Sequence, residues 1–108
     1  MDIVVRGDIW LINLDPTVGS EIQKTRPCVI ISPPEMHDHL RTAIVAPMTT
    51  GSRPAGFRVE IEHEHKKGLI LLDQLRTVDK TRLVKKLGTI SDKTLTHVLT
   101  TLQAVFSV

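Results

Sequence analysis

The hydrophobic pattern of this chain changes period once, near residue 90, and that change constrains the fold more than any other feature. Ahead of it the apolar runs are short and are stopped by proline, glycine or polar clusters, as strands are. Asp8 to Leu14 alternates Trp10, Ile12 and Leu14 against Ile9, Leu11 and Asn13, then halts at Asp15-Pro16. Arg26 to Ser32 is apolar almost throughout, which predicts a central strand covered on both faces before Pro33-Pro34 ends it. At most one or two helical turns fit between Pro34 and Leu40, and Arg41 to Met48 predicts a third strand. Pro47 cannot donate to a ladder, so it belongs at a strand end or an edge, with Met48-Thr49-Thr50 at the sheet rim. Phe57 to Glu62 alternates apolar and charged residues, as a strand with one wet face does. His63 to Gly68 is the turn that follows, and Leu69 to Leu72 is a short buried strand. One helical turn at Asp79 to Arg82 precedes a last strand, Leu83 to Thr89.

Beyond residue 90, Leu95, Val98, Leu99, Leu102, Val105 and Phe106 share one helical stripe, with Ser91 as N-cap and Asp92 in the first turn. Ile90 and Leu95 are placed to form the hydrophobic staple at the start of that helix. Five or six short strands and one terminal helix describe a mainly β (α+β) fold: a small, bent, partly closed barrel with the helix against it.

A chain of 108 residues supports one core, so residues 1–108 are read as a single domain. Its 41% hydrophobic and 24% charged content exclude wholesale disorder, and its longest apolar runs are strand-sized, which argues against a membrane span. The opening Met1-Asp2-Ile3-Val4-Val5-Arg6 lacks the basic start and long apolar middle of a signal peptide, so a cytoplasmic protein is expected. The lone Cys28 sits in an apolar strand, where a buried, inert thiol is expected. A net charge of +2 leans weakly towards an acidic partner such as nucleic acid. Trp10, Phe57 and Phe106 are the only aromatic residues, so recognition of single-stranded RNA would rest on hydrogen bonds and phosphate contacts more than on stacking.

Phosphate-binding glycine loops of the GxxxxGK and GxGxxG types are absent, as is a GxSxG nucleophile elbow. The pairs His37/His39 and His63/His65 have a spacing that puts both rings on one side of a strand. Each pair falls in a polar turn without a third ligand, so neither a metal nor a cofactor is expected. His97 falls on the polar side of the final helix.

Glu21-Ile22-Gln23-Lys24-Thr25-Arg26-Pro27 feeds directly into the second strand. Pro27 biases Arg26 towards extended backbone at the strand mouth, where a permanently charged planar fork can clamp a phosphate. The plainer reading pairs Arg26 with Glu21 or Asp15. Thr49 and Thr50, at the end of the third strand, offer hydroxyl donors to the same phosphate, or merely satisfy backbone groups there. Metal-free RNA cleavage fits this inventory: the ribose 2′-hydroxyl attacks its own phosphorus, a cation neutralises the phosphoryl charge, and a donor assists the leaving oxygen.

Arg6-Gly7-Asp8-Ile9-Trp10, Leu14 to Glu21, Thr25-Arg26-Pro27, Val45 to Thr50 and Leu71 to Asp79, in this order and at this spacing, resemble the MazF/PemK (Kid) family of toxins from toxin–antitoxin pairs. The resemblance implies an SH3-like barrel of the CcdB/PemK type and a sequence-specific endoribonuclease (an mRNA interferase). It implies a homodimer that acts on single-stranded RNA, leaving a 2′,3′-cyclic phosphate and a 5′-hydroxyl, and a neutralising antitoxin whose acidic tail fills the RNA groove. Carried over by position, it makes Arg26 and Thr49 catalytic, places Glu21 beside the active site, and turns Asp73 and Gln74 towards substrate. Ser20, Lys24, Thr50, Arg53 and Gln74 are assigned to RNA binding, with Arg58 near them. The PemK branch carries histidine at the position of Ser20 and arginine at that of Leu71, so the MazF-type Arg and Thr arrangement fits better.

The resemblance offers Arg26 as general base, but a guanidinium rarely gives up its proton at neutral pH, so Arg26 is assigned charge stabilisation with Glu21 or Asp73 as proton acceptor. Arg76 is read as structural, paired with Asp79 or Glu21. Two other functions are carried alongside. One is a non-catalytic, CcdB-like gyrase-poisoning toxin, whose tryptophan-bearing tail this chain lacks, ending as it does in Val105-Phe106-Ser107-Val108. The other is a regulatory RNA-binding domain without turnover.

Overall fold

The computed structural model describes residues 3–108; Met1 and Asp2, part of the amino-terminal stretch considered above, lie outside them. Among these residues seven strands and two helices follow in the order β1 (Asp8–Asn13), β2 (Thr25–Ile30), α1 (Pro34–His37), β3 (Thr42–Thr49), β4 (Arg58–His63), β5 (Lys66–Leu71), β6 (Arg76–Asp79), β7 (Leu83–Thr89) and α2 (Asp92–Val105). The strand order is β4-β5-β3-β2-β1-β7, with β6 also on β3. Every pairing is antiparallel.

Closure comes from the shortest link. β6 and β7 border opposite edges of the array β6-β3-β2-β1-β7, yet only the 3₁₀ turn Lys80–Arg82 separates them. Asp79 holds that turn by accepting hydrogen bonds from the Thr81 amide at 2.9 Å and hydroxyl at 2.7 Å. The sheet must curl to bring its two edges together, and the expected barrel results.

Three strands depart from the sequence reading, one of them β6, which no apolar run announced. β5 begins at Lys66 rather than Leu69, because the β4–β5 turn has only two residues, Glu64 and His65, at φ 52° and 64°. This is type I′ geometry without the glycine or asparagine that usually announces it. Pro47 is not at a strand end or an edge but inside β3, opposite Cys28 of β2. Ile44 accepts from the Ile31 amide, so the even-numbered residues of β3 bond towards β2 and Pro47 faces the other way. On that side β6 pairing stops at Val45 and β5 pairing starts at Met48. The missing N–H falls in the gap between two partners, where no ladder bond is lost.

Both faces of β2 are covered, as expected. Cys28 and Ile30 join Trp10, Ile12, Leu14, Val45 and Val78 inside the barrel. Val29 and Ile31 join Ile9, Met48, Val59, Ile70, Val98 and Leu102 in a second core beneath α2 and the β4–β5 hairpin. Burial pushes the Cys28 thiol up to about 12, and the Arg76 charge opposes this only in part.

The Ser91 hydroxyl accepts from the Thr94 amide at 3.1 Å, the predicted N-cap. Ile90 and Leu95 converge on Gly7, whose φ of 91° is a conformation that favours glycine. Asp8 is buried and accepts from the Val5 amide at 2.9 Å, while Lys86 of β7 stands 3.4 Å away. Val98 and Leu102 are buried, but Val105 and Phe106, expected on the same stripe, are exposed in the single chain. No helix among the described residues is long and apolar enough to cross a membrane.

Replacing Ser91 by Ala should cost about 1 kcal/mol, seen as a lower urea midpoint with unchanged slope. Cys28 should resist iodoacetamide in the folded protein and react at a rate that tracks global unfolding.

Candidate active site

The loop between β1 and β2 is shaped by local hydrogen bonds before it meets anything else. The Asp15 carboxylate accepts from the Lys24 amide at 3.0 Å, and the Lys24 carbonyl accepts from the Leu14 amide at 3.0 Å. Lys24 adopts a φ of 71° to allow both. Within the loop the Glu21 carboxylate accepts from the Val18 amide at 2.6 Å. From outside, the Gln74 side chain accepts from the Ile22 amide at 2.6 Å, Arg76 donates to the Leu14 carbonyl at 3.1 Å, and Arg82 donates to the Asn13 and Asp15 carbonyls. Arg76 is therefore structural, but among the described residues it serves a carbonyl rather than Asp79 or Glu21.

This fixed loop delivers Arg26 at the start of β2. Its Nε donates to the Gln23 carbonyl at 3.2 Å, which orients the guanidinium without neutralising it. Among the described residues no carboxylate forms an ion pair with Arg26, so the plainer pairing with Glu21 or Asp15 is not formed.

Thr49 ends β3 opposite Leu69 of β5. Its hydroxyl oxygen accepts from the Gly51 amide at 3.2 Å, which leaves the O–H free to donate to a ligand. Gly68 makes this corner possible. A β-carbon there would stand 3.0 Å from the Thr49 carbonyl oxygen, tighter than most real contacts, so the Thr49 backbone would have to give way. Arg26, Thr49, Thr50 and Gly68 line one cleft of about 220 Å³, together with Ile61, His63, Glu64 and Lys66 from the hairpin. A neighbouring groove shares Thr50, Ile61 and Gly68 with it and adds Ser52, Glu60, Glu62 and Lys67, so the two form one continuous depression.

The remaining expected residues lie elsewhere. Ser20, Glu21, Asp73 and Gln74 line a separate cleft of about 410 Å³ with Ile22, Leu75 and Arg76. Lys24 and Arg53 line neither cleft. Asp73 is held by Arg58 through two hydrogen bonds of 3.1 and 3.0 Å. Arg58 also donates to the Arg53 carbonyl at 2.9 Å and lies 5.6 Å from the centre of the Phe57 ring. The hydrogen bond from Arg58 holds the Asp73 carboxyl below the usual carboxylate range, so it is a weak proton acceptor. Glu21 stands apart from the Arg26 cleft, and neither carboxylate is placed there to take a proton.

Two features of the site escaped the sequence reading. The Arg58–Asp73 pair joins the start of β4 to the 3₁₀ turn Leu72–Gln74, 15 residues apart in sequence, and left no local signal. His63, read only as part of a turn, is the last residue of β4 and lines the Arg26 cleft. Extending the Val59, Ile61 alternation by one more step would have placed it there. His37 is buried beside Ser32, whose hydroxyl oxygen accepts from the Ile44 amide at 3.1 Å and is hydrogen-bonded to Nδ1 at 2.9 Å. Among the described residues no group of three or more histidine, cysteine or acidic side chains is placed to hold a metal.

A family model described as PemK-like, MazF-like toxin of type II toxin–antitoxin system matches residues 5–106. The chain is 37% identical over 108 residues to Endoribonuclease PemK of Escherichia coli, covering 94% of this chain and 81% of that one. It is 38% identical over 102 residues to Endoribonuclease MazF of Staphylococcus epidermidis, covering 89% and 85%. Its fold is similar to the crystal structure of MazF from Deinococcus radiodurans, with a TM-score of 0.85 over 97% of both chains at 21% identity. A mycobacterial endoribonuclease in complex with its cognate antitoxin aligns at a TM-score of 0.79 over 94% of this chain and 93% of that one, at 20% identity. Sequence similarity over nearly the whole length, on a shared barrel, makes this chain a member of the PemK-like, MazF-like toxin family of type II toxin–antitoxin systems.

Proposed function

We propose that this chain is a cytoplasmic toxin endoribonuclease that cleaves single-stranded mRNA at specific sequences without a metal ion. The observation that carries the proposal is an unneutralised guanidinium and a free hydroxyl donor meeting in one cleft. In the reaction the ribose 2′-oxygen attacks the adjacent phosphorus, the bond to the 5′-oxygen breaks, and the products are a 2′,3′-cyclic phosphate and a 5′-hydroxyl. Arg26 stabilises the charge that gathers on the phosphoryl oxygens, and Thr49 donates a hydrogen bond to a phosphoryl or leaving oxygen. Thr50 lines both parts of the depression and is assigned to hold the strand on either side of the cut. Ser20 and Gln74, in the second cleft, are assigned to contact flanking nucleotides, with Glu21 and Asp73 supporting that wall and Lys24 and Arg53 tracking phosphates from the loops.

The names of the curated relatives, endoribonucleases of the same family, support RNA as substrate over a CcdB-like action on gyrase. Relatives solved with their antitoxins support a neutralising antitoxin partner, whose acidic tail would compete for the cationic side chains of the groove. A homodimer accounts for the exposed Phe106, which lines a largely apolar cleft of about 480 Å³ with Ile31, Ile44, Leu75, Leu99 and Leu102.

In EDTA the protein should cut single-stranded RNA and leave the same sequence with 2′-deoxy sugars intact; cutting of both, or of neither, would reject the mechanism. Arg26→Ala should abolish cleavage while circular dichroism and sedimentation remain parental. Thr49→Val should lower kcat by about 10²- to 10³-fold, the usual effect of losing one oxyanion donor.

A further inference from the structure

The Arg26 cleft contains charge stabilisation and a hydroxyl donor, but neither Glu21 nor Asp73 lines it, so the expected proton acceptors are missing from it. One imidazole does line it. His63 closes β4 at the tight turn, on the same strand face as Val59 and Ile61, which anchors its backbone to the hairpin core. Its Nε2 is sealed from solvent without a hydrogen-bond partner and lies 3.7 Å from the Glu64 carboxylate, while the side chain as a whole remains 20% exposed. Cε1 faces Gly88 of β7, where an added β-carbon would stand 3.8 Å away. With Nε2 and Cε1 turned towards protein, Nδ1 is the ring nitrogen left for a ligand.

We infer that His63 is the general base of this site, accepting the ribose 2′-hydroxyl proton at Nδ1. The inference rests on the endoribonuclease reading and supplies its missing proton acceptor. As the bond from the 2′-oxygen to phosphorus forms, the proton passes to Nδ1. As the bond to the 5′-oxygen breaks, the imidazolium returns a proton to that oxygen through solvent, so protons balance and no co-reactant is consumed. Glu64 and Lys66 of its own hairpin and Arg26 from β2 are the charged groups that line the cleft with it, beside the uncharged Thr49 of β3, and Gly88 of β7 lies against its Cε1. The exposed Glu64 carboxylate favours the tautomer with its proton on Nε2, leaving Nδ1 unprotonated.

The test compares the parent, Arg26→Ala and His63→Gln for RNA cleavage across pH. The parental kcat should fall on the acid side as the base takes up a proton. His63→Gln should lower kcat by about 10²-fold or more, leave KM unchanged and lose that acid limb, and imidazole added to His63→Ala should restore part of the rate. An independent readout uses the parental protein: binding a 2′-deoxy analogue of the cleaved RNA should move the His63 Cε1–H resonance. Parental kcat and an intact acid limb in His63→Gln, or an unmoved resonance at saturating analogue, would overturn the assignment while leaving the endoribonuclease reading in place. A parent that leaves RNA uncut would instead defeat that reading, and the role of His63 with it.

Discussion

The site depends on β3 changing partners halfway along one edge. Its first half bonds to β6 and its second to β5, and the exchange occurs at a residue with no amide proton to strand. One side of this division closes the barrel through β6, the 3₁₀ turn and β7. The other side sends the β4–β5 hairpin across the second core, and the cleft opens between that hairpin and the start of β2. Thr49 and Arg26 meet there because β3 belongs to both halves and β2 lies beside it.

Arginines near this region are used in two different ways, and burial alone would not separate them. Arg58 is consumed by a bidentate carboxylate, a backbone carbonyl and an aromatic face, which makes it a brace for the Asp73 turn and the loop carrying Arg53. Arg26 is oriented by a single carbonyl and keeps its charge uncompensated. A guanidinium already satisfied by carboxylate has little left to give a phosphate, whereas one steadied only by a neutral dipole retains nearly all of its field.

The sequence was most informative where local chemistry and tertiary demand agree. The alternation of β1, the apolar run of β2, the Ser91 cap and the Ile90–Leu95 staple are written in neighbouring residues, and the structure forms each of them. Legibility failed where the deciding partner was remote. Arg76 to Asp79 contains one barrel-facing residue, Val78, and becomes a strand because β3 offers it an edge. Pro47 argues locally against a central strand, and only the arrangement of three neighbours removes the objection. Motif and placement single out Arg26 and Thr49, which share one cleft, but the separation of Glu21 and Asp73 into another cleft is a property of how the loop and the Leu72–Gln74 turn lie in space.

The two-residue hairpin tip carries a wider consequence. Left-handed backbone at an ordinary L residue costs roughly 1–2 kcal/mol, and Glu64 and His65 both adopt it where Asn-Gly would be more comfortable. Exchanging the pair for that sequence would relieve the backbone but erase the carboxylate beside the His63 ring. Conformational ease and local charge are thus opposed at a single turn, and laboratory selection for thermal hardiness would be drawn first to a position whose improvement blunts the chemistry next to it.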